Sequence, residues 1–447
     1  MWSTDNINAL APDPETANRG KKLASLSKWQ SVGSFEAALW GECKGSGAEP
    51  YFVMIDMEGP AYNCSCPVRQ MPCKHAMGLF FLYAEKAVAE NPKLPAKVEE
   101  WMTKRSSKKE KFAAPQVELI VNVEEKQKAK EKRVQERTEL MSSGIEELDL
   151  WLKDLVRQGL ANVGFANSKF WENAAAKFKD AKLSKVAYSI RELGENSAKS
   201  VDSSQETAMG IGELSLLVSA FRNLPQLDED MQEEIFNTIG RIVKKSDVLE
   251  RGTSVKDKWL VLAENETFSL DYIQERRVWL QGIESKKTAM IQDFLFPGAN
   301  SYEQQFLVGS ILDAELAFYP ASFQQRAIIK YSSLFELQGA DFVAEFVAEF
   351  VDFSELMTAY ANMLKINPWL RLASVSIADL IPFKDTKGNW FVMDRFKQIL
   401  KLNNPSHDSL IKILSMSGGH PIAMIGEYNG SGLEVLSVFC GGRFTAI

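Results

Sequence analysis

Histidine and cysteine are scarce in this 447-residue chain, with three and five copies respectively. Chemistry that depends on an imidazole or a thiol must therefore be concentrated in few places. Other absences narrow the function further. No Walker-A loop, dinucleotide-binding glycine fingerprint, G-x-S-x-G elbow or H-E-x-x-H pair occurs, which removes the commonest phosphate, cofactor and hydrolase signatures. No apolar run is long enough to span a bilayer. The opening Met1-Trp2-Ser3-Thr4-Asp5-Asn6 lacks a positive segment followed by an apolar one, so no secretory signal and a cytoplasmic location are expected. The formal net charge is −7, which suits a protein that coats nucleic acid poorly, because such binding rests on neutralising phosphates; a local basic patch could still do so. With 45% hydrophobic and 25% charged residues the chain has a globular balance, and its length implies two or three domains.

What is present is concentrated in Cys64-Ser65-Cys66-Pro67-Val68-Arg69-Gln70-Met71-Pro72-Cys73-Lys74-His75. Three thiols and one imidazole suit zinc, and together they fill a tetrahedral site and leave no open position, which describes a structural ion and not a hydrolytic one. Residues two apart on an extended segment share a side, so Cys64 and Cys66 can present both sulfurs to one ion. Pro72 pushes Met71 out of helical geometry, and the run from Ala76 to Ala84 reads as a buried helix, which puts Cys73 and His75 at or just before its start. Free N–H groups there favour a thiolate. The alternatives are three buried free cysteines beside a core histidine, or a disulfide, for which one-residue separation is too tight and no oxidising compartment is indicated. Cys43 would be a fifth thiol at a full site and is assigned to the local core.

These residues resemble the SWIM-type zinc finger, whose pattern is C-x-C, a short spacer and C-x-H. Cys64, Cys66, Cys73 and His75 match it. The flanking Leu39-Trp40-Gly41-Glu42-Cys43-Lys44-Gly45-Ser46-Gly47, Pro50-Tyr51 and Gly78-Leu79 are similar to bacterial proteins that carry this finger near the N-terminus, and the likeness covers about the first 90 residues. The resemblance implies zinc binding and a DNA-binding or protein-interaction role, without catalysis. Bacterial proteins of this layout are commonly encoded beside MoxR-type AAA+ ATPases and von Willebrand factor A proteins, which makes those two classes the expected partners.

Along the chain, the predicted fold class is multidomain α+β. Residues 1–95 form the finger domain, with a short helix between Glu15 and Trp29, a β-rich run over Tyr51–Asp56 and a small hairpin closed by zinc against the helix after His75. Residues 96–142 form a charged helical linker, read as a solvated, salt-bridged helix or as a basic arm. No aromatic lies between Gln116 and Leu140 to serve as a stacking platform. Residues 143–250 show amphipathic helices in series, beginning at a capping-box pattern Ser143-Gly144-Ile145-Glu146, and suggest a compact bundle. Residues 251–447 form a C-terminal mixed α+β region. Strands are expected at 259–263, 277–280 and 290–296, helices from about Tyr302 to Leu370, and a strand and hairpin at 390–393 and 422–439. The repeat Val343-Ala344-Glu345-Phe346, Val347-Ala348-Glu349-Phe350 places its phenylalanines on one helix face as a core stripe.

His407 and His420 stand alone in sequence and are assigned to the surface or to structure, and Cys440 lies in an apolar strand. No catalytic set emerges, and the protein is not expected to be an enzyme. Two functions remain. The first is a zinc-binding protein-interaction or scaffolding factor. The second is DNA or RNA binding through the finger, with Arg69, Lys74, Lys104, Arg105, Lys108 and Lys109 meeting phosphates.

Overall fold

The computed structural model describes residues 2–44, 49–58, 60–68, 71–113, 123–159, 168–197, 203–268, 273–296, 302, 304–337, 350–403 and 405–447. The side chains of 5, 9, 106–113, 123–131, 133–134, 196–197, 203–204 and 333–337 fall outside that description. Among the described residues there are twelve α-helices and three sheets, and no helix is long and apolar enough to cross a membrane.

Helices α1 (Thr4–Ala9) and α2 (Pro14–Lys21) precede an antiparallel meander of β1 (Trp29–Phe35), β2 (Ala38–Cys43), β3 (Tyr51–Asp56) and β4 (Ala61–Cys64); α3 (Lys74–Ala84) follows. The expected hairpin is thus part of a four-stranded sheet. Asp13 caps α2 by accepting from the Thr16 N–H at 2.6 Å, with Pro14 as the first helical residue. The predicted helix from Glu15 to Trp29 ends early, at Lys21, because Trp29 is drawn into β1 and its indole donates to the Leu23 carbonyl at 2.8 Å. One sheet face carries Leu39, Val53 and Ile55 onto Met77 and Phe80 of α3. Helices α2 and α3 meet at two glycines: a Cβ on Gly20 would lie 2.5 Å from the Met77 Cβ, and one on Gly78 would lie 2.7 Å from the Leu23 Cβ. That close approach offsets the roughly 1 kcal/mol that a glycine costs inside a helix.

The other sheet face, with Ala38, Trp40 and Met54, is covered by Val98 and Trp101 of α4 (Ala96–Ala113). Next comes α5 (Val123–Gln158), which runs unbroken through Ser143, so no helix starts at the expected capping box. Gly144 serves a crossing instead, because a Cβ there would stand 2.7 Å from the Ala181 Cβ. The second half of α5 packs with α6 (Ser168–Asp180), α7 (Ser184–Ser197), α8 (Ser203–Arg222) and α9 (Glu229–Ile239) around Trp171, Phe178, Leu148, Ile190 and Leu217. This is the bundle that the amphipathic spacing predicts. Helix α10 (Lys245–Arg251) leads out of it.

Five strands then close a barrel: β5 (Ser254–Phe268), β6 (Gln274–Gly282), β7 (Thr288–Leu295), β8 (Ser310–Phe318) and β9 (Arg326–Leu337), ordered β5-β6-β7-β9-β8. Strands β7 and β9 run parallel and the other neighbours antiparallel. The expected helices from Tyr302 onward are therefore replaced at 310–337 by β8 and β9. The reason lies in burial on both sides. At the two ends of β8, Leu312, Leu316 and Phe318 fill the barrel while Ile311 and Ala317 are buried on the other side, whereas the centre, Leu312-Asp313-Ala314-Glu315-Leu316, keeps the alternation of a strand. Residues 343–349 of the duplicated tetrad lie outside the described residues; Phe350 packs edge-on against Phe439, with centroids 6.5 Å apart.

Helix α11 (Phe353–Ile366) begins at a capping box formed by Asp352 and Glu355. It and α12 (His407–Ser417) cover one face of a six-stranded sheet. The sheet's order is β12 (Ile399–Lys401), β11 (Trp390–Met393), β10 (Ala373–Lys384), β13 (Ile422–Tyr428), β14 (Leu433–Cys440), β15 (Arg443–Ala446). Its opposite face lays Ile425 and Leu436 on Leu260, Leu262, Trp279 and Met290 of the barrel. A polar node sits in this seam. Glu427, 1% exposed, accepts from Arg277 at 2.8 and 2.9 Å, from the Trp279 indole at 2.8 Å and from Asn265 at 2.9 Å.

Candidate metal centre

Register places the first arm of the cluster. Cys64 opposes Val53 on the last rung between β3 and β4. Ser65 then grips Phe52 twice, its N–H donating to the Phe52 carbonyl at 3.0 Å and its hydroxyl accepting from the Phe52 N–H at 2.9 Å. That pins the strand end, so Cys66 turns inward beside Cys64. The second arm comes from α3. Cys73 is the N-cap residue, with extended backbone at φ −78° and ψ 168°, and its carbonyl accepts from the Met77 N–H at 3.0 Å. His75 follows in the first turn.

The arms meet. The three sulfurs and a ring nitrogen of His75 all lie within 4.8 Å of one another, and the Cys64 and Cys73 sulfurs are each 3.9 Å from His75 Nδ1. Zinc bonds of about 2.3 Å to sulfur and about 2.0 Å to nitrogen require tetrahedral neighbours roughly 3.5–3.8 Å apart, so this cluster needs only a small contraction to bind the ion. Cys66, Cys73 and His75 are buried and Cys64 is half-buried. Among the described residues no other group of three or more such side chains converges in this way. A bound zinc would tie β4 to α3, and no side chain is left over to give it an open position for catalysis.

Electrostatics fit a cation as well. The Cys64 thiol donates to the Cys73 sulfur; with further help from His75 and the Ala76 amide, this pushes the Cys73 thiol down to about 4 despite its burial. The same pairing, together with burial, raises Cys64, and burial raises Cys66. Metal binding would draw protons from the thiols, and the lowered Cys73 makes its own the first to go. Tyr51 lies against the imidazole, with ring centroids 4.7 Å apart and planes 32° from parallel. Sequence reasoning did not assign Tyr51 to the site. Its signal was the β3 alternation that puts Tyr51 on the face of Val53 and Ile55, toward α3. Cys43 is fully buried in the finger core and stays out of the cluster, as the full site predicts.

Of the six cations expected to meet phosphate, the side chains of Lys74, Lys104 and Arg105 are described. Lys74 is exposed on α3 next to Cys73. Lys104 pairs with Glu100 at 2.6 Å, and Arg105 reaches back to the buried Asp56 on β3 at 3.1 Å. Arg69 and the side chains of Lys108 and Lys109 lie outside the described residues. His407 and His420 are both exposed at the ends of α12.

Comparison with known families adds to this geometry. A family model described as the SWIM-associated four-helix bundle domain matches residues 136–239. The bundle is a SWIM-associated domain. The match begins within α5 and ends at the close of α9, the segment whose side chains form the bundle core. It does not reach the four ligands, which stand on their own spacing and convergence. No curated protein and no solved structure matches the chain.

Proposed function

We propose that this SWIM-associated protein is a zinc-stabilised protein-interaction or scaffolding factor without catalytic activity. The observation that carries the reading is how the finger is built in. Both faces of its sheet are covered, one by α3 and one by α4, and α4 also touches β9 and α10. A finger so enclosed orients a larger surface and offers little area of its own. Two of the cations that would serve nucleic acid, Lys104 and Arg105, are engaged by the chain's own carboxylates. MoxR-type AAA+ ATPases and von Willebrand factor A proteins are the first partners to test.

The experiment is affinity purification with mass spectrometry, using the full chain and a Cys73→Ser variant. The reading expects the same proteins to be recovered repeatedly with the wild type and to be depleted with the variant. A tight complex with random duplex at low salt, lost in Arg69→Glu with Lys74→Glu and flattened in salt dependence by about one unit of slope per contact, would overturn it in favour of nucleic acid.

A further inference from the structure

The half of the C-terminal sheet that does not lie on the barrel has an uncovered face. Strands β10, β11 and β12 pair so that Phe383, Phe391 and Lys401 form one cross-strand row and Ile381, Met393 and Ile399 the next. The alternate residues Val392 and Leu400 point into the core under α11 and α12, so both rows face the other way. None of these five apolar side chains joins a hydrophobic core among the described residues. Ile399 is 58% exposed, as is Phe396 in the β11–β12 turn.

The charge around this face opposes that of the whole chain. Lys384, Lys387, Arg395, Lys397 and Lys401 are all exposed. The carboxylates interspersed with them turn inward: Asp385 accepts from the Lys387 and Asn389 N–H groups, and the buried Asp394 accepts from those of Phe396 and Gln398. Among the described residues, Arg395 alone of the five cations faces a carboxylate, Asp352, at 3.8 Å. Strand β12 is also the sheet's edge. The Asp394 N–H donates to the Gln398 carbonyl and the Leu402 N–H to the Trp390 carbonyl. In an antiparallel ladder this alternation turns the backbone groups of Ile399 and Lys401 to the outer side; just beyond, Leu402 bridges Leu433 of β14, whose carbonyl accepts from the Asn403 N–H at 2.8 Å, so Ile399 is the open part of that edge.

Deepening the scaffolding reading, on which it rests, we propose that this face docks an extended acidic segment of a partner protein. The segment would meet the outward backbone groups of Ile399, place apolar side chains on the two rows and set carboxylates against the lysines. A short edge bearing lysine discourages pairing between copies of the same chain; a strand that carries carboxylates turns the same lysine into an attraction. Single-stranded nucleic acid fits the face less well. The row of Ile381, Met393 and Ile399 has no ring on which a base could stack, and Phe383 and Phe391 stack on each other, with centroids 5.7 Å apart and planes 23° from parallel.

The test selects random short peptides displayed on phage against the full-length protein and re-tests the winners on Ile399→Asp with Lys401→Glu. Both positions are exposed, so the variant keeps its fold, which circular dichroism checks. Expected are sequences in which carboxylates alternate with aliphatic residues, bound about tenfold more weakly by the variant. Winners that are basic or uncharged, winners indifferent to the sheet variant, or oligothymidylate bound at this face would each overturn the proposal. Partners lost in Cys73→Ser but kept by the sheet variant would leave the scaffolding reading standing and refute this site alone.

Discussion

Two buried polar clusters, one in the finger and one between the barrel and the C-terminal sheet, are completed in opposite ways. Cys64, Cys66, Cys73 and His75 converge as a set of donors that could hold a metal ion from outside the chain. Glu427 meets Arg277, Trp279 and Asn265, and all its partners are the protein's own. The first cluster occupies twelve consecutive residues and the second joins positions as far as 162 apart. The difference teaches what each can do. A cluster closed by a metal makes a fold conditional on its surroundings, whereas one closed by side chains makes two layers inseparable under all ordinary conditions.

The comparison breaks first if the metal proves dispensable. Purified protein is expected to hold one zinc per chain, and Cys73→Ser to lose it, as metal analysis would read. The linked loss of stability is expected on the order of 10 kcal/mol at the site, and the finger's own core sets how much of it shows as unfolding. Hydrogen exchange after chelation should rise most around β4 and the start of α3, and leave the barrel protected.

Next in size is the self-sufficient node. Glu427→Ala leaves the buried Arg277 with Glu275, at 3.1 Å, as its remaining carboxylate, and is expected to cost about 3 kcal/mol in urea unfolding, with zinc content unchanged. Its pH dependence sharpens the contrast. Burial alone would raise the Glu427 carboxyl, but the bonds from Arg277, Trp279 and Asn265 outweigh it and hold the group below its usual range. A carboxyl depressed in the folded state adds stability above its unfolded pKa, and that stability is lost as pH falls through the folded value. Wild type should therefore lose stability below about pH 4.3, and Glu427→Gln should lose less there. The smallest effect expected is at the α2–α3 crossing, where Gly78→Ala should cost about 1–3 kcal/mol through overpacking against Leu23, without releasing zinc.

Legibility in the sequence follows the same divide. The convergence of Cys64, Cys66, Cys73 and His75 could be read because all four fall in one short stretch, and the bundle helices because each buries one stripe. The start of α5 could not be placed, since Ser143-Gly144-Ile145-Glu146 imitates a cap while Gly144 in fact admits Ala181. The two ends of β8 were hidden by burial on both faces, while its centre, Leu312 to Leu316, does alternate as a strand. Nothing local marks Glu427 as the partner of Arg277, because only the docking of two sheets brings them together. Arg105 reads as one more cation in a charged run, yet it serves Asp56, forty-nine residues earlier.

The barrel's closure bears on how the chain reaches its native state. Strands β5, β6 and β7 form a meander of near neighbours, and β8 with β9 forms a hairpin. The parallel contact of β7 with β9 has two rungs, Met290 with Arg326 and Ile291 with Ala327. So short a ladder gives little reward for the entropy of bringing its strands together until the β5–β8 pairing holds them in place. The meander and the hairpin are therefore expected to form as separate early units, with the parallel junction zipping last and reopening first, a sequence that pulse-labelled amide exchange at Ile291 and Ala327 would resolve.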